Sequence, residues 1–300
     1  MKTLLLGSTG MLGQAAAKEA RRRGLVLREA ARRNAEIALD IADEKALCET
    51  LEAEKPALIF NCAALTDLDA CERDPLAAWQ ANARPLAFLA GWARTNGAKL
   101  LHISTDQFFT EGGSAVHDEK APVSLVNEYA RSKFAGEAFA LTDANALVLR
   151  TSIVGMRGWE KPTLAEWAIG IARNDRPATL FSDAWSSSID VASFARAAFD
   201  MAEAGACGLY NLAASEVYTK EEFVREIARQ IGHTLTHAIS GSVQGLMTAR
   251  AHCLGLDSGR AEALLGRKMP ILSEVVASVL HQYNETSSHE LRHIAAHRHA

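Results

Sequence analysis

The segment NEYARSK, residues 127–133, places a tyrosine and a lysine four residues apart. On a helix that spacing puts both side chains on one face, so the Lys133 ammonium can stand beside the Tyr129 phenol. A free phenol ionises near pH 10, and a neighbouring cation favours the phenolate and lowers that value. A tyrosine so placed can pass a proton at neutral pH. The polar face of an ordinary surface helix offers the same spacing. Four tyrosines and ten lysines in 300 residues give about 0.13 such pairs by chance, so the surrounding elements must decide between the two readings.

Those elements alternate. TLLLG (3–7) reads as a strand ending in glycine, and an Ala-rich helical stretch follows over 14–23. LVLREAA (25–31) is a second strand, 43–56 a helix stopped by Pro56, and ALIFNCAA (57–64) a third strand. Residues 75–97 read as one helix with a glycine stop, 98–105 as a strand, 128–141 as a helix and 146–155 as a further strand. Apolar runs alternating with helices predict βαβ units and a parallel sheet covered on both faces. The fold class expected is therefore α/β, a doubly wound parallel sheet. Beyond about residue 155 the pattern is less regular. The expected division is a dinucleotide-binding domain over 1–155, to which 180–215 returns, a smaller C-terminal substrate lobe from 156–179 and 216–285, and a loose, polar, His-rich tail over 286–300.

Composition removes several classes of function. A net charge of −4 and a pI near 6.2 supply no basic field for nucleic acid. MKTLLLG has too short an apolar run for a signal peptide, and no run of 18 apolar residues spans a membrane. Five scattered cysteines without a CxxC suggest reduced thiols and a cytoplasmic protein. HELRH (289–293) matches the HExxH zinc pattern. It stands at the end of the chain, where no third ligand or shaped cavity is expected, so no metal site is assigned.

LLLGSTGMLGQ carries Gly7, Gly10 and Gly13 between a strand and a helix, at the first βα junction of the chain. A tight turn there needs glycine dihedrals, and a dinucleotide pyrophosphate would rest on the free N–H groups of the helix N-terminus. The candidate cofactor contacts are Gly7, Thr9, Gly10, Met11 and Leu12. A plain tight turn with close helix–sheet packing is the bland alternative. The second strand ends in AARRN, with Arg32 and Arg33 and no acid at its tip. An Asp or Glu there suits NAD, whereas an arginine fork suits the 2′-phosphate of NADP. Two solvated arginines are the alternative.

Four ordered blocks, GSTGMLG, NCAALTDLDACE, HISTDQFF and NEYARSKFAGE, together resemble the extended short-chain dehydrogenase/reductase family, and within it the dTDP-4-dehydrorhamnose reductase-like branch. The likeness is clear over residues 1–155 and fainter through GLYNLAASEVYTKEEF and LDSGRAEALLG. It implies a Rossmann-like fold, an NADPH or NADH cofactor, and a catalytic triad falling on Thr105, Tyr129 and Lys133. In that triad the tyrosine protonates a carbonyl oxygen as hydride arrives, the threonine binds the same oxygen, and the lysine also holds the nicotinamide ribose. By the same resemblance Asp40 and Ile41 lie at the adenine, and Asn61, Ala63 and Ala64 run along the cofactor. Asp40 also suits a helix cap, and the two alanines suit plain packing.

The departures from the branch fall on the substrate side. Gln107 replaces a tyrosine, Ile153 an aromatic, AWSSSIDVA (184–192) an SPT-like segment, and Arg250–Ala251 an Arg-Pro pair. The expected function is an NAD(P)H-dependent reduction of a 4-keto nucleotide sugar, with no nucleic-acid or membrane partner and a homodimer allowed. Two alternatives stand beside it: a sugar-nucleotide epimerase or dehydratase, and a non-catalytic, nucleotide-binding regulatory subunit of the same fold.

Overall fold

The computed structural model describes residues 1–159, 161–243 and 250–297, with side chains described through residue 285. Strands β1 (Lys2–Leu6), β2 (Val26–Ala31), β3 (Ile37–Ala38), β4 (Leu58–Asn61), β5 (Lys99–Ile103), β6 (Val116–His117), β7 (Leu147–Arg150), β8 (Ile153–Val154), β9 (Ala178–Phe181), β10 (Trp185–Ser186), β11 (Ile189–Asp190), β12 (Gly208–Asn211), β13 (Tyr218–Thr219), β14 (Ala238–Gly241) and β15 (Cys253–Leu256) alternate with the helices. The helices are α1 (Met11–Arg22), α2 (Glu44–Glu54), α3 (Leu68–Arg73), α4 (Pro75–Asn82), α5 (Arg84–Asn96), α6 (Glu128–Ala140), α7 (Leu164–Asn174), α8 (Val191–Glu203), α9 (Lys220–Gln230), α10 (Gly259–Leu265) and α11 (Leu272–His297).

Seven strands form one sheet in the order β12-β7-β5-β4-β1-β2-β3, and every pairing in it is parallel. This is the α/β class expected from the alternation. The apolar runs are continuous because both faces are covered. Leu5, Phe60, Leu101 and Leu149 pack with α1 and α8 on one face. Leu4, Leu6, Ile59 and Val148 pack with α2 and α5 on the other. The chain leaves β1 toward β2 and β3, then crosses back to β4. That reversal opens a crevice at the carboxyl ends of β1 and β4, where open α/β sheets bind ligands.

Three elements differ from the sequence reading. The helix expected over 75–97 is two, α4 and α5, broken at Ala83. Pro85 lacks an N–H and its ring clashes with a helical carbonyl four residues earlier, so it is accommodated only in a first turn. The strand expected over 146–155 is also two. β7 ends at Arg150, and β8 leaves the main sheet to pair with β11. The run 57–64 leaves the sheet after Asn61, and a short helix, α3, follows, capped by the Asp67 side chain on Ala70 N–H.

Outside the main sheet, a four-stranded sheet (β13-β10-β15-β6), which takes β6 from the first half of the chain, and a two-stranded pair (β14-β9) accompany α7, α9 and α11. Ile169, Phe223, Ile227, Val276 and Val279 form a core there. The backbone expected to be a loose tail is helical, as the last turns of α11 through His297. The HELRH side chains lie outside the described residues. Among the described residues, no helix is long and apolar enough to cross a membrane.

Candidate active site

The glycine loop leaves β1 at Gly7, whose φ of +82° is a left-handed conformation that a side chain would strain. A Cβ there would also lie 2.7 Å from Ala63 N, so the ends of β1 and β4 meet backbone to backbone. Gly13 answers a different need. A Cβ on it would lie 2.1 Å from the Gly7 carbonyl oxygen, so only glycine lets α1 start this close to the turn. Gly10 is the N-cap of α1 and carries no side chain to bond the first-turn N–H groups. Those of Met11, Leu12 and Gly13 have no intrahelical acceptor and form a ready anion seat. Thr9 closes the loop through its carbonyl, which accepts from Gln14 Nε2 at 3.0 Å. The residues present therefore fit a dinucleotide pyrophosphate.

Arg32 and Arg33 are exposed directly after β2. Neither guanidinium has an ion pair or hydrogen bond among the described residues, which leaves both available to a phosphate. Asp40 is exposed, and its Oδ1 accepts from Ala42 N–H at 3.0 Å, while the α2 cap is Asp43. Ile41 is buried. Ala63 and Ala64 lie partly exposed beyond β4. Asn61 is fully buried. Its Oδ1 accepts from Ala63 N–H at 3.2 Å, and its Nδ2 lies 3.2 Å from His102 Nδ1.

Asn127 begins α6, its side chain accepting from Ala130 N–H at 2.8 Å. The helix then buries Tyr129 and Lys133 together. Gly136 on the same helix admits the Asn82 carbonyl, which would lie 2.3 Å from a Cβ. The Asn82 amide accepts from Leu65 N–H at 2.8 Å and donates to Leu65 O and to Ser132 Oγ. It thereby fastens the loop after β4 to α6. Glu137, one turn past Lys133, grips Arg150 through two bonds of 2.8 and 2.7 Å, with both side chains buried.

β5 ends at Ile103, so Thr105 stands just past the carboxyl edge of the sheet. The Thr105 hydroxyl neighbours the Tyr129 phenol and favours its ionised form. Burial outweighs this and, with the nearby Asp106 charge, pushes the phenol up to about 12. The expectation that Lys133 lowers the Tyr129 pKa is thus corrected. Lys133 Nζ reaches instead to the Ile103 carbonyl, to which it donates at 2.6 Å, and to His102 Nε2 at 3.4 Å. Burial pulls Lys133 down to about 8. It holds His102 well below its ordinary value too, with the Lys133 charge acting in the same direction.

Around the triad stand residues to which the sequence reading gave no catalytic or binding role. Asp106 is buried, its carboxyl pushed up to about 6 by burial, and its Oδ2 has no hydrogen-bond partner. Gln107, in the place of a tyrosine, donates from Nε2 to Asp106 Oδ1 at 3.2 Å and from its backbone N–H to Thr105 Oγ1 at 3.2 Å. Lys220 is half-buried, and the Asp106 charge acts on it. Arg250 meets Asp69 of α3 at 3.7 Å, and Lys161 meets Asp67 at 3.1 Å. Ser152, Ser188 and Ser186 join in a chain of 2.8 Å hydroxyl contacts that starts beside Asp106. A signal for Asp106 was present, since it follows Thr105 in HISTDQFF. A lone histidine in an apolar strand, such as His102, gave none.

Residues 1–285 match the RmlD substrate binding domain family. A Haloferax volcanii protein named "Probable low-salt glycan biosynthesis reductase" is 31% identical over 261 residues, which span 83% of this chain and 85% of the relative. The dTDP-4-dehydrorhamnose reductase of Salmonella typhimurium is 28% identical over 247 residues, 78% and 81% of the two chains. Among solved structures, a Bacillus anthracis dTDP-4-dehydrorhamnose reductase in complex with NADP has the same fold, with a TM-score of 0.83 at 22% identity, over 93% of this chain and 98% of that one. The match spans both the glycine loop and the Tyr–Lys helix and continues through the second, less regular half, so this chain belongs to the RmlD substrate binding domain family, in the branch that its four motifs resemble.

Proposed function

We propose that this protein is an NADPH-dependent reductase of a 4-keto nucleotide sugar, with Tyr129 as the general acid. The observation that carries the reading is the buried Tyr129 phenol beside the Thr105 hydroxyl, at the carboxyl edge of a sheet whose first helix starts uncapped. The family membership and its reductase relatives support it.

Gly7, Gly10 and the first N–H groups of α1 would hold the pyrophosphate, and Arg32 the 2′-phosphate. The nicotinamide supplies a hydride. Thr105 would orient the sugar carbonyl oxygen by donating a hydrogen bond to it. Tyr129 would release its phenolic proton to that oxygen as the carbonyl becomes an alkoxide. A phenol pushed up to about 12 is fully protonated at neutral pH, as an acid must be before it acts. An alkoxide is a stronger base than a phenolate, so the transfer stays downhill. Gln107, an amide, is no acid, and the pair of acids that a dehydratase needs is absent at that position. The reading also takes the protein as cytoplasmic, in keeping with free cysteines at all five positions, and allows a homodimer.

The test is oxidation of NADPH by the purified protein with a panel of 4-keto nucleotide sugars, dTDP-linked and UDP-linked. Oxidation that depends on one of them, with the 4-hydroxy sugar as product, is the result expected. Tight NADPH binding with no oxidation by any member of the panel would leave a nucleotide-binding subunit instead.

A further inference from the structure

The chain between β8 and α7 closes on itself at its base. Thr163 Oγ1 donates to the Gly155 carbonyl at 2.7 Å, so the two ends of the segment meet, as in an Ω-loop. Glu166 of α7 holds both ends. One of its oxygens accepts from the Arg157 and Gly158 N–H groups at 2.6 and 2.7 Å, and the other from Thr163 N–H at 2.7 Å. Gly158 turns the chain with a φ of +73°. The Arg157 guanidinium donates to the Lys161 carbonyl at 2.6 Å and lies 4.4 Å from the centre of the Trp159 ring. The segment so braced reaches two other parts of the chain. Toward β1, the Arg157 carbonyl accepts from Gln14 Nε2 at 3.2 Å, and the same amide holds the Thr9 carbonyl of the glycine loop. Toward β4, Lys161 Nζ donates to Asp67 Oδ2 at 3.1 Å. Gln14 stands on the first turn of α1, and Asp67 caps α3. The two contacts therefore lie on opposite rims of the crevice at the carboxyl ends of β1 and β4.

We propose that this segment is a strap across the cofactor crevice, and that the Lys161–Asp67 pair is its latch, which opens to let NADP(H) enter and leave. The two ties differ in kind. At the first rim, one amide joins the strap to backbone of the glycine loop, whose turn is fixed by its own glycines. At the second rim the tie is a single ion pair. Its side chains stay open to water, 81% exposed for Lys161 and 42% for Asp67. Such a pair contributes little and is screened by salt, so it parts readily. Asp67 bonds the Ala70 N–H through Oδ1 at 3.0 Å and meets Lys161 through Oδ2. The latch can thus open while the cap of α3 stays made. A loop closed over a bound molecule governs how fast that molecule exchanges. The proposal rests on the cofactor half of the reading above and not on turnover.

The experiment is stopped-flow fluorescence of NADPH with the intact protein, following association on mixing and release on displacement by excess NADP+. Lys161→Met removes the charge and keeps most of the stem. Asp67→Asn keeps the helix cap, since asparagine caps as well as aspartate. In each variant association and release should both quicken by about two- to fivefold, the range that an exposed ion pair spans. The dissociation constant should stay within about twofold of wild type, because opening a latch speeds both directions alike. The double variant should be no faster than either single one, since all three lack the same contact. Wild-type rates in either single variant would overturn the proposal, and so would effects that multiply in the double variant. Slower association with weaker binding in Lys161→Met would overturn it as well, and would make the lysine a direct contact of the cofactor. A wild-type protein that binds neither NADPH nor NADH would remove the strap together with the cofactor site. Binding without oxidation across the sugar panel would remove the reductase reading alone and leave the strap standing.

Discussion

Lys133 Nζ lies 2.6 Å from the carbonyl oxygen of Ile103, and among the described residues no hydrogen bond joins it to Tyr129. The spacing of the two residues on α6 gives them a common side of the helix but not a common contact. The lysine ends at β5, on the Ile103 carbonyl and near the His102 ring. The proton that Tyr129 is proposed to give is thus held by a group that burial keeps neutral.

Asp106 should make stability depend on pH. Burial raises its carboxyl from 3.8 to about 6, so the folded chain holds this proton more tightly than the unfolded one. The benefit is complete below about pH 4 and is lost as the pH rises through 6, reaching up to about 3 kcal/mol. Asp106→Asn removes that loss. It should melt above wild type at pH 8, with the advantage gone near pH 4. Melting curves at the two values check this, and an equal or lower midpoint at pH 8 would speak against a buried, half-unpaired carboxylate.

Gly13→Ala should disrupt the cofactor loop. The new methyl would meet the Gly7 carbonyl oxygen at 2.1 Å, and that oxygen is backbone, with no soft end to swing away. Overpacking of this kind costs about 1–3 kcal/mol. The expected outcome is a lower melting temperature together with NADPH binding weakened at least tenfold. Wild-type values for both would show that α1 can slide away from the turn without consequence.

Arg32→Ala addresses cofactor choice. The guanidinium is exposed and unengaged at the end of β2. A charge-assisted bond to a 2′-phosphate contributes about 1.5–3 kcal/mol. NADPH should then bind roughly 10- to 100-fold more weakly to the variant, with NADH unchanged. Tighter binding of NADH to wild type, indifferent to the substitution, would remove the preference for NADPH.

The parts of this molecule that depend on local backbone geometry could be read from the chain. Gly7 needs its left-handed φ, and the strand–glycine–helix order marks the loop whatever packs around it. The alternating apolar runs that covered both sheet faces were visible for the same reason. The break at Ala83 was missed in the sequence, although Pro85 stands where one continuous helix cannot hold it. What was hidden depends on residues far apart in the chain. The direction of Lys133 is set by Ile103 and His102, some thirty residues earlier and on another element. Asn82 is an unremarkable polar residue until its amide is found fastened to Leu65 and Ser132. The parting of β7 from β8 follows from a partner strand, β11, that begins at Ile189, and no local pattern announces it.

The central claim, that Tyr129 gives the proton in a hydride transfer to a sugar carbonyl, is tested most directly by single-turnover kinetics of Tyr129→Phe loaded with NADPH. The substitution removes one oxygen and keeps the ring in its buried seat. The measurement is the decay of NADPH absorbance after mixing with the 4-keto nucleotide sugar that wild type reduces. NADPH affinity should stay near wild type while the rate falls by about 10²–10⁴-fold, the usual cost of losing a positioned acid. A Tyr129→Phe protein that transfers hydride at the wild-type rate would contradict the assignment, whatever the glycine loop binds.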